Sequence, residues 1–115
     1  MLFCFLTHAC ISFATPVSNK SLQLSGRALA NYQMCAQIAE NIGDKTMHNY
    51  YFEMFKDSTA ANRHYSQQQL QIISLEFNKS IVKLANIDQA IMAIICSKRF
   101  DPLTRKMQEK KLTSN

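Results

Sequence analysis

Glycine and proline are scarce in this chain, two of each in 115 residues. A β-sandwich or barrel turns every few residues and relies on them to do so. That class is excluded. Neither G-x-G-x-x-G nor G-x-x-x-x-G-K-[ST] occurs, which removes the loops that cradle phosphates. There is no C-x-x-C, C-x-x-C-H or H-x-x-x-H, so a clustered metal site and a covalently held haem both lack their ligand spacing. Tryptophan is absent. What remains is 47% hydrophobic and 18% charged, which suits one globular domain.

Acidic residues are few at the C-terminal end. Residues 98–115 carry Lys98, Arg99, Arg105, Lys106, Lys110 and Lys111 against Asp101 and Glu109. Most of the chain's net charge of +5 therefore sits there. No aromatic residue follows Phe100, so the tail has no platform for base stacking and nucleic acid is not expected. An acidic partner or anionic lipid suits such a tail, as does plain solvation.

Residues 2–14 hold no formally charged side chain. The stretch is too short to cross a bilayer, which takes ~20 apolar residues. Its length matches the apolar core of a secretory signal, and Ser12-Phe13-Ala14 supplies small residues for cleavage after Ala14. A polar leader, 15–20, follows. Against this reading, no Lys or Arg precedes the run and His8 interrupts it. The alternatives are a buried N-terminal element of a cytosolic domain, and a retained segment that anchors the protein to a membrane.

Cys4 and Cys10 would leave with the signal. The remaining pair, Cys35 and Cys96, suggests one disulfide in an exported domain.

Apolar residues recur at helical spacing along the mature chain. Leu24, Ala28, Tyr32, Cys35, Ile38, Ala39 and Ile42 predict a helix over about 21–42, with Ser21 as its cap and Gly43 at its C-terminal end. Met47, Tyr50, Tyr51, Met54, Phe55, Ser58 and Ala61 predict a second, capped by Asp44 or Thr46 and running to about His64. Leu70, Ile73, Phe77, Ile81, Leu84 and Ala85 predict a third that Ser66 opens. Asn86-Ile87-Asp88 marks a break before a fourth with Ile91, Ile94, Ile95 and Cys96, although the last two could be one bent helix. Asp101-Pro102 ends the domain, and 102–115 reads as a frayed basic tail. The expected fold is an all-α, small antiparallel bundle of three to four helices over 21–101, stapled by Cys35–Cys96.

Ala28, Tyr32, Cys35 and Ala36, then Ile42-Gly43-Asp44 and an aromatic helix, resemble one helix-turn-helix unit of the tetratricopeptide family. No second copy follows at a 34-residue period. The stretch is read as an αα-hairpin and no family is assigned.

Candidate chemistry is sparse. His48 and His64 are sixteen residues apart and cannot share a metal on one straight helix. Met47-His48 with Met54 has the residue types of a soft copper site, but Met at helical spacing reads as core. Glu53 and Asp57 share a helix face and read as a solvated pair rather than an acid/base couple. Asn19-Lys-Ser21 and Asn78-Lys-Ser80 match the glycosylation triplet, relevant only to a eukaryotic secretory route. The aromatic group Tyr50, Tyr51, Phe52, Phe55 and Tyr65 is the densest, with Phe52 off the apolar stripe. The expectation is a non-enzymatic, exported protein that binds another protein as an inhibitor, immunity or accessory factor. It takes no metal and no small-molecule cofactor. The expected contacts are Tyr51, Phe52, Lys98, Arg99, Arg105 and Lys106.

Overall fold

A computed structural model describes residues 17–114. The proposed signal, with Cys4, His8, Cys10 and the cleavage point, lies outside the described residues. The described chain is all helical: α1 (Asn19–Asn41), α2 (Lys45–Ala61), α3 (Gln67–Ala85), α4 (Gln89–Arg99) and α5 (Pro102–Thr113), with a 3-10 turn at Asn62–His64. There are thus five helices, one more than the apolar stripes suggest, and the basic C-terminal segment is the fifth rather than a frayed tail. No single helix among the described residues is long and apolar enough to cross a membrane.

Local chemistry sets each boundary. Ser18, not Ser21, caps α1: its side chain accepts from Ser21 N, so the helix starts two residues before the expected point. Asp44 caps α2 through Met47 N, and Asp88 caps α4 through Ala90 N and Ile91 N. Ser66 and Gln69 form a reciprocal capping box on α3. Asp101 caps α5 with Pro102 at its first position. Between α1 and α2, Gly43 adopts φ 77°, a left-handed value that other residues resist. The Asp44 N–H donates to Ala39 O and the Gly43 N–H to Glu40 O, a complete Schellman stop.

α1 is the centre of the fold. α2, α3 and α4 all pack on it, while α5 packs on α2. α3 and α4 are separate helices meeting at 119°. Two apolar clusters result. One gathers Cys35, Ile38, Ala39, Met47, Tyr51, Met92, Cys96 and Phe100; the other gathers Leu22, Leu29 and Ile73 with Phe55, Tyr65 and Phe77 at its edge. Cys35 and Cys96 are bonded at the centre of the first cluster, fully enclosed. A buried disulfide fits an oxidising compartment.

The single stripe expected on α1 is only half of what it buries. Leu24 and Ile42 are exposed, whereas Leu22, Gly26 and Leu29 face inward. The reason is that α1 is covered on more than one side, so its N-terminal half turns a second stripe toward α3. Leu70, Ala85, Ile91 and Ile94 were also expected inside and are exposed. α3 and α4 use only part of their apolar residues against α1.

Candidate interaction surface

α2 carries four of the five residues of the aromatic group, Tyr65 lying beyond it, and the helix splits them between two sides. Tyr51 points inward and is 3% exposed. Its hydroxyl donates to Cys96 O at 2.6 Å. That carbonyl is among the last four of α4, which have no intrahelical donor, so the phenol completes the helix end from a neighbouring element. Burial, reinforced by Tyr50, pushes the Tyr51 phenol up to about 12. Tyr51 is therefore a core residue and not a contact residue, because its only polar atom is already used inside.

The fate of Tyr51 at high pH follows from its environment. The unfolded phenol ionises near 10, two units below the folded one. Stability that depends on the neutral phenol is complete below pH 10 and is lost as pH rises through 12. The loss amounts to about 3 kcal/mol. Tyr51→Phe is expected to lower stability by about 1–2 kcal/mol at neutral pH, since it leaves Cys96 O unpaired. It is also expected to flatten the alkaline loss. Urea denaturation of both proteins at pH 8 and pH 12 checks this; equal alkaline losses would mean that another group carries it.

Phe52, the residue after Tyr51 and so about 100° further round α2, is 46% exposed. It stacks on His48 with ring centroids 5.8 Å apart, and Lys56 Nζ sits 5.4 Å from its ring centre. His48 is held in turn, its Nδ1–H donating to Ala36 O at 2.9 Å. That bond leaves Nε2 as the acceptor on the neutral ring. Phe52 is thus an exposed ring in a fixed setting. Met47 is wholly enclosed, and its sulfur takes the Ser97 hydroxyl at 3.8 Å. Among the described residues no three His, Cys, Asp or Glu side chains cluster to hold a metal ion. Glu53 accepts from Lys111 Nζ at 2.8 Å, so its carboxylate serves helix docking.

The expected cationic contacts are not equivalent. Arg105 makes a paired contact with Asp44, Nη2 to Oδ2 at 2.6 Å and Nη1 to Oδ1 at 3.2 Å, and lies over the Phe100 ring at 4.7 Å. Arg105 hydrogen-bonded to Asp44 holds that carboxyl below its usual range. Arg105 is thus a clamp between α5 and the α1–α2 turn and not a free contact. Arg99 is exposed but donates to Asn31 Oδ1 at 2.8 Å. Lys98 and Lys106 are exposed. Lys98 edges a shallow open depression of about 360 Å3 with Ala93, Ile94 and Ser97. Phe52, Lys98 and Lys106 therefore remain as surface groups, on three different helices.

Sequence reading missed α5 and the residues that seat it. Asp101 before Pro102 is a helix-start signal, and it was the detectable clue. The Asp44–Arg105 and Glu53–Lys111 pairs join residues 61 and 58 positions apart and have no local signal. Comparison with protein-family models, with curated proteins and with solved structures finds no match.

Proposed function

We propose that this chain is an exported, non-enzymatic helical protein that acts by binding another protein. The observation that carries the reading is Phe52. A large ring 46% exposed, stacked on His48 and flanked by Lys56, is a pre-arranged apolar anchor on a capped and disulfide-closed scaffold. Aromatic anchors of this kind dominate interface energetics. Export is supported by the apolar leader with small residues at 12 and 14 and by a disulfide that an oxidising compartment favours.

Two measurements test the proposal. The intact mass of the natural protein, with and without reductant, is expected to show loss of residues 1–14 and a gain of two hydrogens on reduction. Full length with free thiols would overturn export. Cross-linking in the exported fraction is expected to yield one dominant adduct that Phe52→Ala abolishes while the fold, read by circular dichroism, persists. An adduct pattern insensitive to Phe52→Ala would sink the binding reading.

A further inference from the structure

α5 is seated with its polar side inward. Thr104 and Arg105 are half-buried and Gln108 is 5% exposed, while Leu103 and Met107 are 68% and 65% exposed. This reverses the usual arrangement, in which a surface helix buries its apolar stripe. The inward contacts are the Arg105–Asp44 and Lys111–Glu53 ion pairs and the Arg105–Phe100 stack. Gln108 Nε2 is enclosed without a hydrogen-bond partner. Enclosing an unpaired amide and leaving Leu and Met in water both cost stability. The chain accepts both costs, and the result is a particular outward face.

That face reads Leu103, Lys106, Met107, Lys110, positions i, i+3, i+4 and i+7 of one helix. Asp101 is occupied as the cap, and Glu109 lies toward Arg105 on the flank. α4 repeats the pairing: Ile91 and Ile94 are more than half exposed beside Lys98, and Asp88 is its cap. Apolar side chains flanked by lysines, with the nearby aspartates engaged in capping, call for an anionic occupant with an apolar layer. A second copy of the same face would set lysine against lysine. The α5 face is the outer side of a single helix, a ridge from which Leu103 and Met107 stand out. A bilayer interface accepts such a ridge. Apolar side chains enter below the headgroups, and lysine stems lie along them with their ammonium groups among the phosphates.

We infer that the outward face of α5 docks on an anionic lipid surface, with Leu103 and Met107 inserted and Lys106 and Lys110 at the headgroups. The inference goes beyond protein binding and does not depend on it.

Co-sedimentation of the full chain tests it. The vesicles are phosphatidylcholine alone, and two parts phosphatidylcholine to one part phosphatidylglycerol. The protein is expected to prefer the anionic vesicles. Lys106→Glu with Lys110→Glu should cut that preference at least about 30-fold, taking each lysine's electrostatic share at the surface. Leu103→Ser with Met107→Ser should cut anionic binding at least about tenfold. Lys20→Glu with Arg63→Glu, the same charge change elsewhere, should leave it nearly intact. These positions are all exposed, so circular dichroism should be unchanged. Equal binding to both vesicles, or no loss in either α5 double variant, would overturn the inference. So would absence of vesicle binding together with loss of a cross-linked protein in Lys106→Glu/Lys110→Glu, which would assign the face to an acidic protein instead. Vesicles contain no protein, so failure here leaves the Phe52 reading standing.

Discussion

Reducing the Cys35–Cys96 bond is expected to remove about 4 kcal/mol of folding stability, the chain-entropy value for a link spanning 61 residues. A domain of this size has only ~5–15 kcal/mol in total. The loss corresponds to a fall in Tm of about 20 °C. Its location is also defined. α4 packs chiefly on α1, and α5 on α2. Without the bond, 89–113 is held by Met92 and Phe100, by the Tyr51–Cys96, Arg99–Asn31 and Ser97–Met47 hydrogen bonds and by two ion pairs involving α5. Hydrogen exchange in α4 and α5 should therefore rise before that of α1 and α3. Urea denaturation of the oxidised, reduced and Cys35→Ala/Cys96→Ala proteins measures the first effect, and exchange mapping the second. Equal stability in all three would show that the link adds nothing to closing the first cluster.

Gly26→Ala is expected to destabilise the protein by about 2 kcal/mol. In an exposed helix the same change stabilises by up to ~1 kcal/mol, because glycine is the poorer helix former. Here the sign reverses. A Cβ at position 26 would lie 2.5 Å from Ile73 O and 3.0 Å from both Glu76 Cβ and Phe77 N. Two of these three are backbone atoms of α3, so no rotamer change relieves the contact and the helices must separate. Overpacking of this kind costs ~1–3 kcal/mol. Separation would also loosen Arg27 Nε from Glu76 Oε2, now 2.8 Å apart, an ion pair that holds the Glu76 carboxyl below its usual range. Equilibrium unfolding of Gly26→Ala decides the matter. A neutral or stabilising result would mean that α1 and α3 do not cross this closely.

The contrast between these two positions shows what is legible. Cys35 and Cys96 could be paired from the sequence because cysteine chemistry is discrete: two thiols on apolar stripes leave one pairing. Gly26 reads in one dimension as a tolerable flaw near a helix start. Only the crossing of α1 and α3 makes it the point where two backbones meet. Phe52 was placed outside the stripe by period, and it is exposed. Tyr51 stands on the apolar stripe and is buried, so of its two expected roles only the inward one holds; its partner, Cys96 O, lies 45 residues away and no spacing rule reaches it.

The sequence by itself determined the helical segments that became α1 to α4, the caps at Ser66 and Asp88, the stop at Gly43 and the disulfide. Those features depend on hydrogen bonds within a few residues, on the helical period and on the small number of cysteines. The tertiary structure decided which faces meet: the Leu22–Gly26–Leu29 contact with α3, the seating of α5 by Arg105 and Lys111, and the exposure of Leu103 and Met107. An amphipathic stripe specifies that a face should be covered, but not by what. When one central helix serves several neighbours, the neighbours' outer stripes stay uncovered, and only the packing shows which ones.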